Sequence, residues 1–454
     1  MITGLGLENF KAWRKLEKIR MAPLTGFFGA NSSGKSSIIQ FLLLLKQTIN
    51  FADPQAVLYF GDERDTASFV ELESYENIVF NHDLQRLISW TLDWKREFRE
   101  ADSPKTLHTE LQANSENYPI VNEIDYTYSN VVHRIVRDAN TSEYKLLYRS
   151  DDETEEEIPL EPDTVDYKSG WSPKKCYGFP PSAYRISFQM FTRDIERLFE
   201  SIFYLGPMRE FPRRHYRWDG SNPYDVGSRG ERVVDAILTA RRTAPHIIPK
   251  FLQTSKRGEE PPSFEYHTFE QRIAQWLKAL NLIHDFKMEQ IGGSNLYQVL
   301  VQRTPKSVFV PLPDVGFGVS QILPVLVLCF YAPEHSTIIL EHPELHLHPS
   351  VQMGLADVLI EAIQTRHIQI ILESHSEHLL NRIQRRMAEA SLTKEEVALY
   401  FCDMDEDGAA KMEELKLNEY GEISNYPPDF FGDRFGEAAT TQLEALRRRR
   451  AAKK

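Results

Sequence analysis

Cysteine is nearly missing from this sequence: Cys176, Cys329 and Cys402 are the three in 454 residues. An odd number without metal-ligand spacing supports neither a disulfide framework nor a zinc cluster, so ordinary reduced residues are expected. Long hydrophobic runs are lacking too. The longest, Ile322 to Ala332, is too short to span a bilayer, and Met1-Ile2-Thr3-Gly4 lacks the charged start and apolar stretch of a secretory leader. A cytoplasmic chain with no membrane partner is the expectation. No heptad pattern is sustained, which excludes long coiled-coil arms, and no internal repeat occurs. Positive charge is in deficit: a net charge of −13 argues against a surface that coats nucleic acid non-specifically.

What is present is ample apolar matter, 41% of residues, enough for a core in each of two or three domains. Ile2 to Phe10 alternates apolar with small or polar residues, and Leu24 to Phe28 is a short apolar run; both read as strands. Ser36 to Asn50 is apolar almost all round, as a helix buried in an α/β core would be. From about residue 51 to 203 strand-like pieces, Leu87 to Trp94 and Ile124 to Tyr128 among them, alternate with polar linkers and an acidic run, Asp151 to Glu157. That stretch reads as an inserted, mainly β region. Helical patterning returns at Phe269 to Leu282, where Ile273, Trp276, Leu277 and Leu280 share one stripe. Two basic places remain: Arg213, Arg214 and Arg217 among aromatics, and the tail from Arg447 to Lys454.

Gly29-Ala30-Asn31-Ser32-Ser33-Gly34-Lys35-Ser36 fits G-x-x-x-x-G-K-[ST] and stands between a predicted strand and a predicted helix, the context this motif needs. Its glycines let backbone N–H groups wrap phosphates at the positive end of the helix. Asn31, Ser33, Gly34, Lys35, Ser36 and Ser37 are therefore the candidate nucleotide contacts. Lys35 would reach the terminal phosphates, and the Ser36 hydroxyl would sit on Mg²⁺.

A phosphate loop alone leaves the metal, the water and the γ-phosphate without partners. Ser336 to Leu340 reads as a buried strand ending on Glu341, at the sheet edge where α/β proteins bind ligands. Glu341 is the candidate Mg²⁺ carboxylate. Ile368 to Leu372 repeats the pattern and ends in Glu373-Ser374-His375-Ser376, which makes His375 the candidate γ-phosphate sensor. Asp314-Val315-Gly316-Phe317-Gly318-Val319-Ser320-Gln321 is a Gly-x-Gly-x-Ser turn opening an apolar helix from Ile322, and such a turn suits an anion.

Together these segments resemble the ABC-type ATPase heads of the structural-maintenance and OLD-like group of P-loop ATPases. The resemblance covers residues 1–50 and about 200–435. It implies an α/β fold: a P-loop NTPase head with a mixed central sheet, an inserted mainly β region and a helical lobe. The implied organisation is a discontinuous ATPase core (1–50 and 204–420), an insert (51–203) and a short C-terminal segment with a basic tail (421–454). ATP and Mg²⁺ are the implied cofactors. In such heads a signature serine of one subunit caps the γ-phosphate held by another, and Ser320 matches it. A homodimer or higher homo-oligomer through the heads follows. Glu341-His342-Pro343-Glu344-Leu345-His346-Leu347-His348-Pro349 resembles the acidic metal motif and Glu373-Ser374-His375-Ser376 the histidine switch. Tyr204-Leu205-Gly206-Pro207-Met208-Arg209 resembles a segment whose arginine contacts phosphate or the interface.

One departure stands out. The group places a glutamate after the metal carboxylate as general base, and here that position holds His342. A neutral imidazole accepts a proton near pH 7, and Glu344 is a second candidate base. His342, His346 and His348 with Glu341 and Glu344 also admit a metal-cluster reading. About eighty residues follow the histidine switch, too few for the Toprim nuclease of OLD nucleases. Asp403, Asp405, Glu406 and Asp407 around Gly408 read as an acidic hairpin turn, and Tyr426 to Asp433 as a closing segment with core aromatics. The resemblance implies a stand-alone ATPase, the sensor of a prokaryotic anti-phage system that controls a nuclease or toxin effector. Two alternatives stay open: a repair-type ATPase that clamps DNA through Arg213, Arg214 and Arg217, and an ATP-binding scaffold with little turnover.

Overall fold

The chain divides its strands among three sheets in the computed structural model, which describes residues 1–62, 64–65, 68–95, 105–129, 131–150, 156–157, 172–179, 186–242, 268–427 and 430. The elements run β1 (Ile2–Phe10), β2 (Trp13–Arg20), β3 (Leu24–Gly29), α1 (Lys35–Asn50), β4 (Ile88–Trp94), β5 (Lys105–Ala113), β6 (Pro119–Tyr128), β7 (Val131–Arg137), β8 (Tyr144–Ser150), β9 (Glu156–Glu157) and α2 (Ile186–Glu200). Then come β10 (Ile202–Leu205), β11 (Tyr216–Arg217), α3 (Val233–Arg242), α4 (Phe269–Ala279), β12 (Asp285–Gln290), β13 (Leu296–Gln302), β14 (Phe309–Pro311) and α5 (Phe317–Tyr331). The last are β15 (Thr337–Glu341), α6 (Pro349–Arg366), β16 (Gln369–Glu373), α7 (Glu377–Ala388), β17 (Val397–Met404) and β18 (Ala410–Glu414).

The central sheet has the order β10-β15-β16-β3-β17-β18 and is parallel except for the antiparallel edge β18. Its inner strands read as unbroken apolar runs because both faces are covered. Ile338 and Leu340 of β15 face a core built on α3 to α7, while Ile339 between them faces a second core built on α1 and the antiparallel strands. A mixed α/β head is what this arrangement is, as the motif order predicts.

The second sheet is antiparallel, β2-β1-β4-β5-β6-β7-β8-β9. Strands from the first twenty residues therefore share a sheet with strands from 88–157. Gln369, wholly buried at the start of β16, joins the two sheets: its amide donates to Ile2 O (2.6 Å) and Ala22 O (3.1 Å) and accepts from Ile2 N (3.0 Å). Lys175, in a segment packed against the antiparallel strands, reaches helix α1. Its Nζ donates to Ile49 O (3.1 Å), Phe51 O (2.6 Å) and Thr48 O, capping the C-terminus of α1, whose last turn holds no basic residue of its own.

The third sheet, β11-β13-β12 with β14 on β13, packs beside α3, α4 and α5 as the helical lobe. Helix α5 begins at Phe317, five residues ahead of the Ile322 start expected from its apolar run. Gly316 is its N-cap, and the small residues that read as a turn form its first turn. Asp405 to Gly408 close the β17–β18 hairpin, with Asp405 N donating to Ala409 O at 2.8 Å. Phe430 packs edge-on against Phe28 and Phe401 in the core. Residues 151–155 of the acidic run and the basic tail lie outside the described residues. Among the described residues no helix is long and apolar enough to cross a membrane, and all three cysteines are buried and unbridged.

Candidate nucleotide site

The phosphate loop leaves β3 at Gly29, whose φ of 134° and 2.0 Å clearance from Cys402 O to an added Cβ admit glycine alone. Gly34 (φ 87°) has the same need, since a Cβ would meet Ala410 at 2.7 Å. Trp13 Nε1 donates to Gly34 O at 3.0 Å and braces the turn. Helix α1 then starts at Lys35 with no acidic residue in its first turn, so its positive end stays uncompensated. Lys35 is buried; its Nζ donates to Gly29 O (3.2 Å), Ala30 O (2.5 Å) and Ser33 Oγ (3.3 Å). Burial lowers its pKa, and Glu373 opposes that. Asn31 is exposed at the loop's tip, Ser33 is buried with its hydroxyl on Ala30 O, and Ser37 is half-buried in the first helical turn.

Strands β15 and β16 run in parallel register, so their final residues Glu341 and Glu373 stand side by side. Glu373 Oε1 accepts from Ser36 Oγ at 3.0 Å and lies 3.9 Å from Lys35 Nζ and 3.7 Å from His342 Nε2. Glu341 accepts from Tyr204 OH at 3.2 Å. Burial, and then the charge of Glu373, push the Glu341 carboxyl up to about 7. The sheet thus carries two carboxylates at one edge, facing the loop.

His342 follows at φ 44°, a left-handed conformation that turns the chain back over the edge, with its N–H on Glu373 O at 3.0 Å. The Glu344 carboxylate raises the His342 pKa against the pull of burial. Glu344 is buried, which pushes its own pKa up, but His342 and the His375 N–H, donated at 2.8 Å, hold it below the usual range. His375 stacks on His342, ring centroids 5.1 Å apart and 8° from parallel. Burial, Lys35 and His342 lower its pKa, so one imidazole favours the cation and the other the neutral form.

The candidates therefore separate into two groups. Lys35, Ser36, Glu341, His342, Glu344 and His375 come together at one edge, joined by Glu373. Ser320 does not sit among them: it is buried in the first turn of α5, where its hydroxyl donates to Phe317 O at 2.8 Å. It lines a cavity of about 240 Å³ with Glu210, Arg213, Tyr216 and Pro324. The turn just before it is open, with Gly316 and Phe317 exposed. His346 and His348 stay outside the cluster; His348 caps α6 through Ser350 N. The histidine-metal grouping instead falls on His342, Glu373 and His375, whose ligand atoms lie within 4.8 Å of one another.

Sequence reasoning passed over Glu373 as a partner of Ser36. The sequence did mark Glu373 as a strand-end carboxylate, since Ile338 to Glu341 and Ile370 to Glu373 are the same tetrapeptide, but not its partner. Arg209, the arginine expected at phosphate or the interface, lies beside this edge. It is buried, burial lowers its pKa to about 10, and Tyr204, Glu341 and Glu344 are the groups that pull it back up. Among the described residues its Nε and Nη1 find no hydrogen-bond partner, nor do Glu344 Oε2 and Glu373 Oε2, all buried. Orphaned buried donors and acceptors of both signs around a glycine loop fit a phosphate chain with a divalent cation.

Of the basic stretch, Arg213 is paired with Glu210 at 2.5 Å and Arg214 with both oxygens of Asp314 at 2.7 and 3.0 Å.

The family model described as "AAA domain, putative AbiEii toxin, Type IV TA system" matches residues 24–381. A second, described as "Protein of unknown function (DUF3696)", matches residues 392–440. No curated protein matches the sequence. Among solved structures the chain is similar to an SMC head domain from Thermotoga maritima, at 10% identity and TM-score 0.41, covering 91% of this chain and 99% of that one. It is similar to an Smc head bound to the C-winged helix domain of ScpA, at 11% identity and TM-score 0.43, with 92% and 98% covered. A third is the Smc head domain with an extended coiled coil bound to the C-terminal domain of ScpA derived from Pyrococcus furiosus, at 12% identity and TM-score 0.44, with 98% and 99% covered.

Proposed function

This chain belongs to the AAA-domain family whose model spans residues 24–381, and from that premise we propose that its P-loop ATPase site drives a dimerising switch. The observation that carries the reading is the convergence of Lys35 and Ser36 with Glu341, His342, Glu373 and His375 at the C-terminal edge of the parallel sheet. The loop from Gly29 to Ser37, Asn31 and Ser33 included, would hold the phosphates of ATP, with Lys35 on the terminal ones. Ser36 and Glu341 would hold Mg²⁺, which supplies charge to offset the phosphates. His375, kept neutral, would read the γ-phosphate. His342 or Glu344 would take the proton of the attacking water.

Ser320, at the start of a helix behind an exposed turn, would meet the nucleotide of a second copy, giving a homodimer or larger assembly of heads. A defence role is supported by the family description, which names a putative toxin of a Type IV TA system, and control of a separate effector would be the form that role takes here. The ion pairs of Arg213 and Arg214 weaken the case for a DNA clamp there. A slow-turnover scaffold is favoured by one observation, the raised pKa of His342, since a protonated imidazole is no base.

Phosphate release and native mass, measured with and without ATP on the full chain, test the proposal. Magnesium-dependent turnover and a doubling of mass, both lost in Lys35→Ala, are the expected results. Turnover equal to that of Lys35→Ala with a mass unaffected by ATP would leave only the fold.

A further inference from the structure

We propose that Glu373 is a second cation carboxylate, working from the strand beside that of Glu341, so that tight nucleotide binding depends on a divalent ion held between the two strands. This deepens the nucleotide-site reading and rests on it.

The Ser36 hydroxyl, the loop's own oxygen for a cation, donates to Glu373 at 3.0 Å, whereas Glu341 is engaged by Tyr204 OH. The two carboxylates are in-register neighbours on parallel strands, about 5 Å apart along the backbone spacing. Glu373 is 2% exposed, and its Oε2 has no hydrogen-bond partner among the described residues. A buried carboxylate with an orphaned oxygen next to a like charge is costly unless a cation joins it. Lys35 Nζ at 3.9 Å and His342 Nε2 at 3.7 Å both lie beside Oε1 beyond hydrogen-bond reach, and Lys35 is occupied by the loop's carbonyls, so Oε2 is left without a donor among the described residues. Without a metal, Glu373 also confronts the terminal phosphates that Lys35 is to bind, and the like charges repel. With a divalent ion between them, the same carboxylate becomes attractive. Oxygen ligands from a hydroxyl and two carboxylates are the donor set of Mg²⁺ or Mn²⁺.

The sequence shows why a second strand is needed. At the tip of β15 the residue after Glu341 is His342, so that strand offers one carboxylate at the edge, and β16, ending in the same Ile-Ile-Leu-Glu, offers the other.

The test is binding of a fluorescent ATP analogue to the full chain with EDTA, Mg²⁺ or Mn²⁺, for wild type, Glu373→Gln, Glu373→Asp and Glu341→Gln, each checked by thermal melting. Glutamine keeps the size and the acceptor for Ser36, so the fold should survive. In Glu373→Gln the tightening by Mg²⁺ should shrink by about ten- to a hundredfold, while binding in EDTA stays equal or improves. Glu373→Asp should recover part of the metal effect. Full tightening by Mg²⁺ in Glu373→Gln overturns the proposal, even if turnover falls, because the residue would then act on water rather than on the cation. Wild type that binds no analogue with or without metal, matching Lys35→Ala, would sink the nucleotide site itself. Loss of tightening in Glu341→Gln alone would leave the cation to one strand and refute the pairing.

Discussion

Single side chains at the sheet edge trade stability for chemistry. The Glu341 carboxyl, raised to about 7 by burial and by Glu373, stays protonated in the folded chain at pH values where the unfolded chain has released its proton. Its stabilising contribution is full below the unfolded value near 4.5 and fades as pH rises through about 7. Glu341→Gln, neutral throughout, should therefore exceed wild type at pH 8 by roughly 1–3 kcal/mol in metal-free chemical denaturation and match it near pH 4. His342 offers a second reading by pH. Glu344 is the main group raising its pKa, so Glu344→Gln should move the rising limb of the phosphate-release profile to lower pH if His342 is the base. An unmoved limb assigns the proton elsewhere.

At the scale of elements, helices α6 and α7 are clamped by charge. Asp357 accepts from Arg386 Nε at 2.7 Å and from Arg382 Nη1 at 2.8 Å, and both Asp357 and Arg386 are buried. Asp357→Ala would leave Arg386 with Glu389 alone, at 2.6 Å, and its Nε without an acceptor, and should cost about 1–3 kcal/mol of stability, read from urea unfolding. Strands and helices differ in how openly they announced themselves. The parallel strands β3, β15 and β16 were legible because burial on both faces leaves a bare apolar run, and α1 because the glycine motif marks its start. The beginning of α5 was hidden, since two glycines around Phe317 argue locally against helix and only packing decides for it. The pairing of β1 with β4 was hidden as well, as nothing local in residue 2 or residue 94 names the other. Glu373 belonged to the same blind spot: a motif shows which residue ends a strand, but the register between strands is set by the packed core, and that register puts Glu373 against Ser36.

Over the whole molecule, the proposed switch puts the contact of a second copy at the open turn before α5. An added Cβ at Gly316 meets nothing within 4 Å, and its backbone needs no glycine. Gly316→Arg should therefore leave folding and nucleotide binding alone while abolishing the ATP-dependent rise in mass, measured by light scattering. A dimer that forms undiminished would move the interface to another face. Lys175 carries a different consequence. Helix α1 would receive phosphates at its first residue on the proposed reading, and its other end is held by an ammonium from a segment packed with the antiparallel strands. One rod of sixteen residues has its two poles in separate hands. Should a triphosphate at the near pole shift the helix against that far anchor, reciprocity of free energies requires that loosening the anchor alter the grip on the triphosphate by the same factor.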